Sequence, residues 1–202
     1  MKAKQHNTKA LIFSGIAIVL FFLLMTYALK QNANFTPSQL VGNAAPDFSA
    51  TIAQGGHFNS KESFNSGRWT VLNFWSSFCI VCRNEAPDIE DFYQSVTLKN
   101  NSSPQLISIN IQDSKETILQ WQKNYNQNFP VIQDIQGLIS IQYGVTGTPE
   151  TFFIDPQSQV RYRIAGQIDK NLIINFIHWL EHNPTSTQED ATQYLIKLRS
   201  SS

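Results

Sequence analysis

The chain has two cysteines, three positions apart, in the stretch Trp75-Ser76-Ser77-Phe78-Cys79-Ile80-Val81-Cys82-Arg83-Asn84-Glu85-Ala86-Pro87. Two thiols at this spacing can exchange electrons as a dithiol–disulfide couple or supply half of a tetrahedral zinc site. Zinc takes about four ligands, and there is no second cysteine pair. The four histidines, His6, His57, His178 and His182, are all remote from the cysteines in sequence. His178 and His182 have a metal-compatible spacing of four on a predicted helix. Leu172, Ile173, Phe176, Ile177 and Leu180 form the core stripe of that helix, so both histidines fall towards solvent or a rim. The reading is a redox dithiol, with no metal and no cofactor.

The flanking residues position the pair. Val71-Leu72-Asn73-Phe74-Trp75 is an apolar run that reads as a buried strand. After the cysteines, Ala86, Ile89, Phe92 and Tyr93 recur at helical spacing. Cys79 therefore falls where a strand hands over to a helix, with Cys82 one turn further in. Unpaired N–H groups and the helix dipole stabilise an anion at that end. A thiolate is such an anion, so Cys79 is expected to have the lower pKa and to be the attacking thiol. Cys82 is placed to close a disulfide with it, and a strand–CxxC–helix context is that of a redox motif.

Around this centre, 202 residues suit one domain plus additions. A net charge of zero gives no footprint for nucleic acid or an acidic partner. Residues 10–29 carry no charge and are long enough to span a bilayer as a helix. A cleaved signal is the rival reading, but its apolar part is usually shorter and Met25-Thr26-Tyr27-Ala28 is a poor cleavage site. Lys2, Lys4 and Lys9 precede the run, which keeps the N-terminus inside and exports the rest. The expected organisation is a cytoplasmic N-terminus over 1–9, a transmembrane anchor over 10–29, a linker over 30–40, a domain over 41–183 and a tail over 184–202.

Within the domain, Gly55-Gly56 signals a turn before a short strand with His57 and Phe58, and 63–67 reads as a connection. Strands are expected at 69–75, 105–111, 151–154 and 160–165, the last two forming a hairpin at Asp155-Pro156. Helices are expected from Cys79 to about Leu98, from a cap at Asp113 or Ser114 through Tyr125, over 138–143 and over 170–181. Residues 129–132 read as a short extended piece. The tail offers a short amphipathic helix around 194–198. Alternating strands and helices make this an α/β chain.

Asn73-Phe74-Trp75 through Pro87, together with Gly147-Thr148-Pro149-Glu150-Thr151-Phe152-Phe153-Ile154-Asp155, resembles the thioredoxin-like proteins of the TlpA/ResA/CcmG (DsbE) group, bacterial membrane-tethered thiol–disulfide oxidoreductases. The resemblance covers roughly 41–183, and Pro-Glu-Thr after Thr148 is most similar to the CcmG/DsbE branch. It implies a thioredoxin-like fold, a central mixed β-sheet flanked by helices, with a TlpA-type βα insertion. It implies a cis bond before Pro149, and a substrate groove lined by Trp75, Phe78, Thr148 and Pro149, where Trp75 and Phe78 shield the thiol. Plain core packing of Trp75, and a proline that merely ends a loop, are the alternatives. The implied place is the bacterial inner membrane, single-pass, with the domain in the periplasm. The implied partners are apocytochrome c or haem-handling maturation proteins, with a membrane electron donor of DsbD/CcdA type.

Two departures from the pattern bear on mechanism. Plain thioredoxins carry an aspartate six residues before the first cysteine; here Asn73 stands there, and an amide cannot take the proton that leaves Cys82. Glu85 and Glu150 are the candidates for that role, against readings as a solvated helix carboxylate and a surface strand residue. Ile80-Val81 lies where the family usually places a proline, and makes the surface around Cys79 apolar. Three functions follow: a reductase in cytochrome c maturation, a general periplasmic oxidoreductase of TlpA type, and, from a different class, a tethered metal-handling module.

Overall fold

The computed structural model describes residues 8–30, 38–100 and 102–200, and the chain divides into two units after Thr36. The first unit is a single helix, α1 (Thr8–Lys30), in which side chains are described for 12–26. Among the described residues no helix is long and apolar enough to cross a membrane. The predicted anchor over 10–29 extends past the described side chains, and the predicted N-terminus and linker lie largely outside the described residues.

The second unit is built on a five-stranded mixed sheet. Its strands are β3 (Thr70–Trp75), β4 (Gln105–Ile111), β5 (Val131–Asp134), β6 (Glu150–Ile154) and β7 (Val160–Ala165), in the order β5-β4-β3-β6-β7. β3, β4 and β5 are parallel, whereas β6 runs antiparallel to β3 and β7 antiparallel to β6. A two-stranded ribbon of β1 (Ser49–Thr51) and β2 (His57–Asn59) precedes it. The helices are α2 (Ser60–Phe64), α3 (Ile80–Phe92), α4 (Lys115–Tyr125), α5 (Leu138–Gln142), α6 (Lys170–His182) and α7 (Gln188–Ser200).

Strand alternation divides the core. Val71 and Trp75 of β3 face one side with Phe153 of β6, under α3, α4, α6 and α7. Leu72 and Phe74 face the other with Ile107, Ile109, Phe152 and Tyr143. Successive side chains of a strand point to opposite faces, so a central strand buried on both sides reads as a continuous apolar run. That explains why β3, although it contains Asn73, is buried at every position.

Several boundaries differ from the sequence reading, and β5 lies at Val131–Asp134 rather than 129–132. Ser63 and Phe64, expected in a connection, belong to α2, which starts where Asn59 accepts from the Lys61 N–H as an N-cap. The helix after Cys79 ends as α at Phe92 and continues as a π-helical turn over Tyr93–Thr97. There the Ser95 hydroxyl donates to the Asp91 carbonyl, a group the α ladder would use. Of the two expected caps for α4, Ser114 takes the role, accepting from the Thr117 N–H at 3.2 Å. The tail forms a full helix, α7, whose Ala191 and Leu195 are buried and whose Tyr194 stacks on Trp179 of α6.

Candidate active site

Cys79 is the N-cap of α3, and its Sγ accepts from the Cys82 N–H at 3.0 Å. An N-cap ordinarily carries a side-chain oxygen for this purpose. Here sulfur fills the position, so the free N–H groups of the first turn point at the atom that must become an anion. Cys79 is half-buried and Cys82 is 3 % exposed. The two are joined as a disulfide with Cα atoms 5.2 Å apart. The accessible sulfur is thus at the dipole and the buried one is inside the helix.

The loop ahead of Cys79 is held from the segment between β4 and α4. The carboxylate of Asp113, itself buried, accepts from the Ser77 N–H at 2.7 Å and the Ser77 hydroxyl at 2.8 Å. From the other side, the Thr148–Pro149 peptide is cis, and the Thr148 carbonyl lies 3.2 Å from Cys79 Sγ. The predicted groove residues therefore separate. Thr148 and Pro149 face the sulfur. Phe78 projects away from the core at 84 % exposure, next to Ile80 and Val81, and forms an apolar rim rather than a shield. Trp75 lies in the core at 5 % exposure, its indole N–H donating to Ser108 at 2.8 Å and its ring 4.8 Å from that of Trp121.

Glu85 is 2 % exposed. Its Oε1 accepts from Asn73 Nδ2 at 2.7 Å, and its Oε2 accepts from the Ile168 N–H at 3.1 Å. The Asn73 amide also donates to Thr151 at 3.1 Å. Asn73 thus occupies the place of a proton acceptor and orients one instead. Burial raises the Glu85 pKa to about 7 against the two hydrogen bonds, which favour the carboxylate. Cys82 and Glu85 line one cavity of about 10 Å³, together with Asn73 and Trp75. That is about the space one water occupies. A carboxyl titrating near neutrality beside a buried thiol is what a general base at this position requires.

Glu150 is equally buried, at 1 % exposure, but faces elsewhere. Arg163 of β7 grips it, donating from Nε to Oε2 at 2.9 Å and from Nη2 to Oε1. The same Oε1 accepts from the Thr146 N–H, the Thr146 hydroxyl and the Gly147 N–H. A carboxylate so saturated is a strut for the loop that carries Thr148 and Pro149. Arg163 was not singled out from the sequence, and Asp113 was read only as a possible helix cap. Arg163 had a signal: it pairs opposite Phe152, two residues from Glu150 on the same face, and diagonal neighbours on a sheet face interact.

The histidines lie apart from this centre. His182 Nδ1 meets the His178 carbonyl at 2.8 Å on the surface of α6. No group of three or more metal-ligating side chains occurs among the described residues.

A strand–loop–helix with an N-capping cysteine, opposed by a cis-proline loop, carries thiol–disulfide exchange. Comparison with known proteins agrees, since the AhpC/TSA family model matches residues 41–163. The chain belongs to that family. It is 27 % identical over 190 residues to the thiol:disulfide interchange protein DsbE of Xylella fastidiosa, covering 91 % of this chain and 93 % of that one. To the thiol-disulfide oxidoreductase ResA of Bacillus subtilis it is 27 % identical over 188 residues, covering 92 % and 99 %. The solved structure of StoA from Bacillus subtilis superposes with a TM-score of 0.56 at 20 % identity, over 65 % of this chain and 96 % of that one. The family member described here is a thiol–disulfide oxidoreductase of thioredoxin-like fold.

Proposed function

We propose that this oxidoreductase works as a reductase of exported proteins, with apocytochrome c or proteins of its maturation path as the substrate. The observation that carries the exchange chemistry is Glu85, buried beside Cys82 in one cavity and with its pKa raised to about 7. In the reduced protein the Cys79 thiolate attacks one sulfur of a substrate disulfide. That S–S bond breaks, one substrate thiolate leaves, and a mixed disulfide to Cys79 remains. Cys82 then passes its proton to the Glu85 carboxylate, directly or through one water, and attacks Cys79 Sγ. The second substrate thiolate leaves, and two electrons have passed from the dithiol to the substrate. The Cys79–Cys82 disulfide must then be reduced by a second dithiol, for which a membrane donor of DsbD/CcdA type is the proposed source.

Support for the cytochrome reading is the Gly147–Asp155 stretch and the similarity to DsbE along most of the chain. Support for tethering is α1, whose described side chains are exposed all round, Phe13 at 72 % and Leu24 at 67 % among them. A helix apolar on every side needs an apolar surrounding. The uncharged run over 10–29 and the lysines before it give a single-pass inner-membrane protein with its domain in the periplasm. A broader specificity has one observation in its favour: Phe78, Ile80 and Val81 form an exposed apolar rim beside Cys79 that any unfolded chain can meet.

The test is a Cys82→Ala variant of the full chain, which holds each substrate as a mixed disulfide on Cys79. Identification of the trapped proteins by mass spectrometry should return exported polypeptides with paired cysteines of the C-x-x-C-H haem-attachment type. A trap filled mainly with unrelated exported proteins supports the general oxidoreductase instead.

A further inference from the structure

The α7 helix has no part in the chemistry above, yet it reaches the residues that do. The loop Gly166-Gln167-Ile168 between β7 and α6 makes three backbone contacts, each to a different part of the site. The Gly166 N–H donates to the Pro149 carbonyl at 2.8 Å. The Ile168 N–H donates to Glu85 Oε2 at 3.1 Å. Between them, the Gln167 carbonyl accepts from Arg199 Nη2 of α7 at 3.1 Å. Gly166 has a φ of +92°, a conformation that only glycine adopts without strain, so the loop's path is fixed by residue type. α7 is itself anchored. Ala191 and Leu195 are buried in the same apolar cluster as Ile168, and the Tyr162 and Thr192 hydroxyls meet at 2.6 Å.

We propose that α7 is a brace for the active site, with Arg199 a positioning residue that holds the Gly166–Ile168 loop against Glu85 and the cis-proline loop. The proposal rests on Glu85 being the proton acceptor for Cys82. Its physical content is simple. An N–H aimed at a carboxylate favours the charged form, so a loosened loop leaves Glu85 more readily protonated. Cys82 shares its cavity with Glu85, and Asp88 of α3 acts on that carboxyl, while Asp169, Asp91 and Lys170 act in turn on Asp88. β3 and β6 present the neutral Asn73 and Thr151.

The experiment is a ¹³C NMR titration of the Glu85 carboxyl in the full chain, labelled at glutamate, with Glu85→Gln to assign the signal. Arg199→Ala should raise the midpoint by about half a unit, roughly a threefold change in the acid-to-carboxylate ratio, as expected for weakening one hydrogen bond. Arg199→Lys, which can still donate to the Gln167 carbonyl, should stay closer to wild type. The shift should persist at high salt, where a bare charge effect of an exposed arginine is screened. A wild-type midpoint near 7 with a superimposable Arg199→Ala curve, or a shift abolished by salt, overturns the brace and leaves Glu85 standing. A wild-type carboxyl that titrates in the ordinary glutamate range overturns both.

Discussion

At the residue scale, the asymmetry between the two sulfurs is the first consequence of the geometry. Cys79 is half-buried and faces the first-turn N–H groups of α3, while Cys82 is 3 % exposed. In the reduced protein at neutral pH, Cys79 should alkylate with iodoacetamide at least about tenfold faster than Cys82, since only Cys79 combines access with a stabilised thiolate. Peptide mapping of partially alkylated protein measures the ratio, and equal labelling would reverse the assigned roles. Glu85 carries a second consequence. Its burial makes Glu85→Gln a change in stability as well as in chemistry. A folded-state pKa of about 7, against 4.5 for the unconstrained group, means the folded protein holds this proton more tightly than the unfolded chain. Its contribution is fully present below about pH 4.5 and is lost as pH rises towards 7, to a total of about 3 kcal/mol. Chemical denaturation of the oxidised protein should show that loss in wild type and not in Glu85→Gln, which should be the more stable of the two at pH 8. Parallel pH profiles would contradict a buried, titrating Glu85.

At the scale of elements, the site is a meeting of three loops held from behind by strands. The Glu150–Arg163 pair is the clearest case, with side chains 1 % and 5 % exposed. Breaking a buried pair leaves an uncompensated charge and costs about 3–5 kcal/mol. Arg163→Ala should therefore lower stability by about that amount and slow disulfide reduction by freeing the Thr146–Pro149 loop. A denaturation midpoint within error of wild type would remove the strut. Much of this architecture was legible in the chain. The apolar run of β3, the 3.6-residue spacing after Cys82 and the strand limits 160–165 all appear where the periodicity put them. Glu85 was legible too, in retrospect: with Cys82, Ile89 and Phe92 it stands at spacings of three, four and three on the buried stripe of α3. A charged residue on that stripe reads as solvated only if its type is weighed above its position. What stayed hidden was pairing across distance. Asp113, in the loop after β4, reaches Ser77 across 36 residues, and no local pattern encodes which loop a carboxylate will cap. The tail was underestimated because its polar residues dominate the count, whereas Ala191, Tyr194 and Leu195 carry its packing.

At the scale of the whole molecule, the chain joins an apolar helix to an acidic redox domain: with Lys2, Lys4, Lys9 and Lys30 all before it, residues 37–202 hold 11 basic against 15 acidic residues, a net charge of −4. If α1 is an anchor, the full chain should stay in the membrane fraction after high-salt and alkaline washes, and a reporter fused after Ser202 should be active only outside the cytoplasm. A soluble form starting near Lys30 would make residues 10–29 a cleaved signal. The domain's charge also bears on substrate choice. A small acidic excess gives only weak long-range preference for basic partners, so selection at contact falls to the apolar rim of Phe78, Ile80 and Val81 and to the cis-proline loop. The central claim, however, concerns the proton that leaves Cys82 when a mixed disulfide resolves. Stopped-flow release of a thiol from a preformed mixed disulfide on Cys79, followed from pH 5 to 9 in wild type and Glu85→Gln, measures it directly. The account predicts a wild-type rate that rises with a midpoint near pH 7 as the carboxylate forms, and a Glu85→Gln rate lower at pH 7 by about 10- to 100-fold that climbs only at the higher pH where the thiol ionises unaided. Superimposable profiles for the two proteins would contradict it.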